Sequence, residues 1–424
     1  MWRASIFLLA SWCLFSQGTE PGSPLDPVNR QLPKWVRLTG ELRAREEGFL
    51  GDRFTEGQDD LYLFQRVRLG VSVKPLKQLE MFVQGQDARV SFQGRIPAAP
   101  PYQDSADLRQ AWIQIGTGSE RHGITLRTGR QELAFGEERL VGASNWGNVS
   151  RTFDAVKLGV RHGGYAADVF ASSVVAARDH AFDRHNDGDN LHGIYGSIHG
   201  WVPRAVLEPF VFWRLSPAGL DSKTVGLRWA GQLPHGLEYT TEMATQRGTR
   251  SAEDVRAWAG FWRIGRTFTN LQGKPGIRAE INHASGDADP SDRRYGTFDV
   301  LYPTAHDKYG LTDQVGWRNI NHIGLIAELR PRKTLVLQFK AHESWLVSAR
   351  DGLYGAGGAL IVRDPSGNSG KYVGEELDAQ MIWTPRAGVQ IGAGLGHLFP
   401  GEFLQHTTPG HGYTFPWIGL TYGF

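Results

Sequence analysis

The sequence predicts an all-β chain: a single antiparallel transmembrane β-barrel of about 18 strands, of the outer-membrane type. Three observations carry this. Short segments of period two recur from residue 35 onward. An export signal opens the chain, and no later apolar run is long enough to cross a bilayer as a helix. Glycine and the aromatics are abundant (Gly 53, Trp 14, Tyr 12, Phe 21), as tight turns and interfacial girdles require.

The first 18 residues read as a signal peptide: Arg3, an apolar stretch from Ala4 to Phe15, then Ser16-Gln17-Gly18. The one cysteine, Cys13, lies inside it, behind bulky Trp12, so it does not fit a lipoprotein acceptor. A mature chain without cysteine has no disulfide framework. Residues 19–34 hold Pro21, Pro24, Pro27 and Pro33 and read as an unstructured lead-in. Residues 35–424 then form one barrel domain without a composition break.

Along that domain each strand shows two faces. In Trp35–Glu46, Val36, Leu38, Leu42 and Ala44 oppose Arg37, Glu41, Arg43 and Arg45. In Leu61–Val73, Leu61, Leu63, Val67, Leu69 and Val71 oppose Arg66, Arg68 and Ser72. The pattern returns at Val225/Leu227/Trp229 against Thr224/Arg228, at Ile277/Ile281 against Arg278/Glu280, and at Leu377/Trp383 against Glu376/Asp378. The last segment alternates Ile418, Leu420, Tyr422 and Phe424 with Gly419, Thr421 and Gly423. In a membrane barrel the apolar face meets lipid and the polar face a lumen. In a secreted β-sandwich the same pattern would face a core and water. The mixed charges of the polar faces and the lack of a second apolar layer favour the barrel. At about 20–24 residues per strand and connection, about 18 strands fit the length.

The order of several phrases resembles the alginate export (alginate porin) family. They are Arg43-Ala-Arg45-Glu46, Gln65-Arg-Val-Arg-Leu69, Gln86-Asp-Ala-Arg89, and Gly129-Arg-Gln-Glu-Leu-Ala-Phe-Gly136 with Arg139-Leu-Val-Gly142, Trp146 and Phe153-Asp154-Ala155. Farther on stand Ala284-Ser-Gly-Asp287, Thr297-Phe-Asp-Val-Leu-Tyr-Pro-Thr304 with His306 and Gly310, and Gly316-Trp-Arg-Asn319. The resemblance runs from about Trp35 to Phe424 and implies a monomeric outer-membrane barrel whose arginine-rich constriction passes an anionic uronate polymer. Guanidinium groups stay charged and fork onto carboxylates. A ring of them eases an anion into a narrow lumen. Export would also require a periplasmic scaffold.

The candidate pore-lining residues are Arg43, Arg45, Arg66, Arg68 and Arg228, on polar faces, with Arg89 and Arg130 from the phrases above. Around Arg130 the alternation conflicts. Ile124 and Leu126 put even numbers outward and so favour Arg127, whereas Leu133 and Phe135 put odd numbers outward. A bulge at Gly129 would turn Arg130 inward, with Arg127 the alternative. The competing use of these arginines is a balanced network with Glu41, Glu280, Glu376 and Asp378.

Two acidic stretches invite other roles. Asp183, Asp187 and Asp189 carry oxygen ligands suited to calcium, but His185 and Ile194 break the EF-hand spacing, so a solvated loop is expected and no metal. The stretch Ser285–Asp313 is long, with Phe298, Leu301, Tyr302 and Pro303 as anchors, and reads as an ordered loop that either folds over the pore or lies on the surface. No nucleophile elbow, zinc-protease helix, phosphate loop or dinucleotide fingerprint occurs, so neither an enzyme nor a cofactor is expected. A net charge of +2 argues against nucleic-acid binding. The alternative functions are a general small-solute porin with a mixed-charge lumen, small anionic solutes among its cargo, and a secreted glycan-binding sandwich.

Overall fold

The computed structural model describes residues 24–119 and 121–424. The expected signal peptide, with Cys13, lies outside them. The lead-in is not wholly irregular as expected: Asp26–Gln31 forms a short helix, with Pro27 in its first turn, where its missing N–H costs nothing. Asn29 of this helix bonds both backbone groups of Leu38, at 3.0 and 2.8 Å, and so anchors the lead-in to the first strand.

The rest is a closed antiparallel barrel of 18 strands. In chain order these are β1 (Val36–Phe49), β2 (Asp60–Leu76), β3 (Leu79–Ser91), β4 (Asp104–Gly118), β5 (His122–Gln131), β6 (Phe153–His162), β7 (Tyr165–Ala176), β8 (Arg184–His199) and β9 (Ala205–Ser216). They continue as β10 (Leu220–Gln232), β11 (Leu237–Arg250), β12 (Glu253–Thr267), β13 (Gly276–Ala284), β14 (Ile320–Arg332), β15 (Leu335–Leu346), β16 (Tyr372–Arg386), β17 (Val389–Pro400) and β18 (Tyr413–Gly423). Each pairs with the next, and β1 pairs with β18 from Glu41↔Gly423 to Glu47↔Trp417, which closes the ring and leaves no free edge. At this seam the backbone of Gly40 exchanges hydrogen bonds with Phe424, and a Cβ on Gly40 would overlap the Phe424 ring.

The two faces divide as the alternation predicts. Leu61, Val67, Leu69 and Val71 on β2 are exposed, whereas Tyr62, Phe64, Arg66 and Arg68 are buried. The same split separates Leu227 from Arg228, Ile281 from Glu280 and Asn282, and Leu377 from Glu376 and Asp378. An apolar exterior wrapped around a polar interior excludes the sandwich, whose apolar face would be the buried one. Each large outward aliphatic side chain gains about 1.5–3 kcal/mol on leaving water for an apolar medium.

The barrel ends differ. At the end holding the chain's described termini, connections are as short as 77–78, 163–164, 333–334 and 387–388. At the other end lie the long segments 132–152, 285–319 and 347–371. Barrels of this type put short turns in the periplasm and long loops outside. The last of these segments carries a small hairpin, Gly352–Tyr354 with Leu360–Arg363.

Candidate functional site: two inward segments and an arginine wall

Two of the long segments enter the barrel. Residues 132–152 leave β5 and cross to the inner faces of β1–β4 and β13. Residues 285–319 leave β13 and reach the inner faces of β9, β11, β15 and β16. Inside, they meet as a pair: Gly142 N–H donates to Tyr302 O and Tyr302 N–H to Leu140 O, both at 2.9 Å, Thr304 N–H donates to Glu138 O, and Arg151 reaches Pro303 O at 3.0 Å. Leu133, Leu140 and Val141 of one segment and Phe298, Val300, Leu301, Leu311 and Trp317 of the other are buried in one apolar cluster. The stretch beginning at Ser285 is therefore an ordered inward segment, and its expected anchors Phe298, Leu301 and Tyr302 are buried.

Arginines of the β1–β4 wall grip the turn 145–148. Arg43 donates to Asn145 O at 2.9 Å and Gly147 O at 3.1 Å. Arg45 donates to Trp146 O at 2.7 Å, lies 3.8 Å over the Trp146 ring and pairs with Glu47. Arg66 binds Glu41 at 2.6 Å through one arm and Gly147 O at 3.0 Å through another. Arg68 donates to Gln86 and Ser150, each at 2.7 Å. Arg109 completes the group, bound to Gln84 at 2.8 Å, to Glu132 and to Asn145. Backbone carbonyls present their negative ends here, so guanidinium groups that would repel one another share one acceptor-rich turn. Burial alone would raise the Glu132 carboxyl, but Arg109, and behind it Arg68, hold it below the ordinary carboxylate range. Five arginines (43, 45, 66, 68, 109) face three carboxylates (Glu41, Glu47, Glu132). Arg43 Nε, Arg45 Nη1 and Arg109 Nε are buried without an acceptor among the described residues.

Farther round, charge balances. Arg139 donates to Glu280 at 2.8 Å, to Asn282 at 3.2 Å and to Tyr309 at 3.3 Å, and its guanidinium lies 3.8 Å over Phe261. Arg263 bridges Glu137 at 2.5 Å and Glu280 at 3.4 Å. Arg228 pairs with Glu208 and lies 3.5 Å from Glu137. Burial would raise Glu137, but Arg263, Arg139 and Arg228 hold it far below the ordinary range. On the β15–β16 side Thr312 donates through N–H and O–H to Glu376 at 2.8 and 2.6 Å, Leu311 N–H donates to Asp378 at 3.1 Å, and Lys340 pairs with Asp307.

Five of the expected arginines (43, 45, 66, 68 and 228) face inward. Two do not. Arg89 shares the outward parity of Val83 on β3, where Gln84, Gln86 and Ala88 point in; it is exposed and pairs with Asp87 at 2.8 Å. Arg130 pairs in register with Ala111 and Asp154 without a slip at Gly129, on the parity of Ile124 and Leu126. Its guanidinium binds Asp154 at 2.9 Å and Asp183 O at 3.1 Å. Arg127 is the inward residue of β5, 3.9 Å over Trp112 and bonded to Gln114 at 2.9 Å. The apparent change of parity at Leu133 and Phe135 arises because β5 ends at Gln131 and the chain turns inward. The bulge lies instead on β4, where Gln84↔Gln110 is followed by Gly85↔Leu108. That extra residue turns Arg109 into the lumen, and alternation alone gives no sign of it. The expected loop at 178–190 is largely strand, since β8 starts at Arg184. Its three aspartates scatter: Asp183 bonds toward β4, Asp187 is exposed, and Asp189 accepts from Tyr302.

Comparison with known proteins agrees with this architecture. Residues 34–414 match the family model for alginate export. Among solved structures, a BenF-like porin from Pseudomonas fluorescens Pf-5 superposes with a TM-score of 0.66 at 9% identity, covering 92% of this chain and 99% of that one. Pseudomonas aeruginosa OccK11 (OpdR) gives 0.60 at 13% identity, over 92% and 96%. Acinetobacter baumannii OccAB2 gives 0.62 at 10% identity, over 92% and 98%. Comparison with curated protein sequences gives no match.

Proposed function

The chain belongs to the alginate export family and is a channel of the Gram-negative outer membrane, and on that premise we propose that it passes an anionic polysaccharide or oligosaccharide, a uronate chain, along the β1–β4 wall. The observation that carries this reading is the group of five inward arginines facing three carboxylates beside the turn 145–148. A uronate offers one carboxylate per sugar. Guanidinium groups already shared among neutral carbonyl oxygens exchange one acceptor for another at small net cost, since a neutral hydrogen bond is worth only about 0.5–1.5 kcal/mol net. Each contact is then weak enough for a chain to advance past the next.

A general small-solute porin with a mixed-charge lumen is the second reading. Its support is the balanced group of Arg139, Arg228 and Arg263 with Glu137, Glu208 and Glu280, where segment 132–152 meets β9, β10, β12 and β13. Conductance of single channels in a planar bilayer separates the two. Anion-selective current that uronate oligomers block and neutral glucans do not is the outcome expected for a polysaccharide path. Unselective or cation-selective current without block leaves the small-solute porin.

A further inference from the structure

At the rim of the long-loop end, β4 starts irregularly. Asp104 stands opposite Ala88 and Asp107 opposite Gln86, so the register slips between them, with Ala106 at φ 51. This slip brings two carboxylates three residues apart to one place. A third arrives from the connection between β7 and β8. The N–H of Asp183 donates to Asp107 Oδ2 at 2.5 Å, and its own Oδ1 accepts from Arg178 N–H at 2.7 Å. One carboxylate oxygen from each of Asp104, Asp107 and Asp183 lies within 4.8 Å of the others, and all three residues are buried.

Such a group is costly unless something positive joins it. None of the three has an ion pair with a lysine, arginine or histidine among the described residues. Arg130 is near, but its guanidinium binds Asp154 and the Asp183 carbonyl. Asp179, which accepts from Ser105 N–H at 3.0 Å, adds a further carboxylate beside β4. Asp104 is only 2% exposed, and its Oδ1 is buried without a hydrogen-bond partner among the described residues. A buried, unpartnered carboxylate oxygen beside two other carboxylates is the arrangement a hard cation completes.

We propose that Asp104, Asp107 and Asp183 form a divalent-cation site, of calcium type, that pins the β7–β8 connection to the start of β4. Three carboxylates offer only oxygen ligands, which suit a hard cation, and calcium takes more protein oxygens in a looser geometry than magnesium, which keeps several waters. The site is independent of the transport path, because it uses none of the inward arginines.

Calcium chloride alone, titrated into the EGTA-treated full barrel in detergent, tests this by calorimetry and hydrogen exchange. The expected result is saturable binding of one ion per chain, with an affinity in the range of extracellular modules, about 0.1–1 mM. Asp104→Asn and Asp183→Asn should each weaken it at least about tenfold, the loss of one of three charged ligands. Asp187→Asn, in the same segment but exposed, should leave it unchanged. On the unaltered protein, calcium should slow amide exchange at 104–108 and 178–184. Binding without slowing at those residues, no binding at 10-fold above about 1 mM, or wild-type affinity in Asp104→Asn overturns the proposal. Should the variants not fold, the exchange pattern of the unaltered barrel decides.

Discussion

Trp146 lies flat against His306, with ring centroids 3.9 Å apart and planes 12° from parallel. One ring belongs to segment 132–152 and the other to 285–319, so this stack joins the two segments inside the lumen. Arg45 lies over the same indole, and His306 is held by Asp313 at 2.7 Å. The arginine wall and the second segment are thereby coupled through one side chain.

Trp146→Ala should loosen both segments together. An aromatic pair contributes about 0.5–1.5 kcal/mol beyond its buried area. Hydrogen exchange should speed up at 145–150 and also at 304–309, and single-channel current should become noisier. Faster exchange in only one segment would show that the stack does not couple them.

Arg66→Ala leaves Glu41 short of its closest partner and the turn carbonyls short of a donor. Breaking a buried pair in this way costs about 3–5 kcal/mol. Lower thermal stability and reduced anion selectivity, read as a smaller reversal potential across a salt gradient, are expected. Arg66→Lys keeps the charge but not the fork and should fall between the two.

Arg89→Ala is the contrasting case. Its side chain is exposed on the outer face and, among the described residues, pairs with Asp87 alone. Stability should change by less than about 0.5 kcal/mol, with the reversal potential unchanged. A shift in selectivity would place Arg89 in the ion path.

Acid should release segment 132–152 late. Burial opposes ionisation of Glu137, but Arg263, Arg139 and Arg228 outweigh it and depress its folded pKa. For a depressed carboxyl, the stabilisation is present above the unfolded value of about 4.3 and is lost as pH falls toward the folded one. Exchange protection at 132–152 should therefore be the same at neutral pH and at the unfolded value, and decline only in stronger acid. Glu137→Gln should remove that acid dependence at the cost of weaker protection at neutral pH.

Gly310→Ala probes how the second segment is seated. Gly310 has φ +124, and a Cβ there would overlap the Glu376 carboxylate. The bonds from Leu311 and Thr312 to Asp378 and Glu376 should be lost, and faster exchange at 308–313 would report it. Unchanged exchange would mean that β16 yields instead.

Much of this was legible because strand alternation is a local property. Arg43 and Arg66 could be placed inward from the two or three residues on either side, and Leu69 and Ile281 outward by the same rule. Arg89 rests on the resemblance of a short phrase and Arg130 on a bulge at Gly129; the structure has no slip there, and plain alternation prevails at both. Arg109 was not legible, because a bulge changes parity without a residue that announces it. Segment 132–152 was hidden for a related reason. Leu133 and Phe135 look like strand continuation, and only the distant partners Phe170, Tyr195 and Phe212, which stack around Phe135, show that they cross the lumen. The mouth carboxylates were half visible: Asp183 stood out, but its partners lie on β4, more than seventy residues earlier.

Because each outward side chain in the wall is followed by an inward one, no strand presents the continuous apolar face that would lodge in a membrane as a helix. A chain bound for the outer membrane has to traverse the inner one first. The alternation that suits the finished wall to lipid also lets the nascent polypeptide pass the earlier bilayer without being arrested there. Its hydrophobicity emerges only when neighbouring strands align, at the place where it is needed.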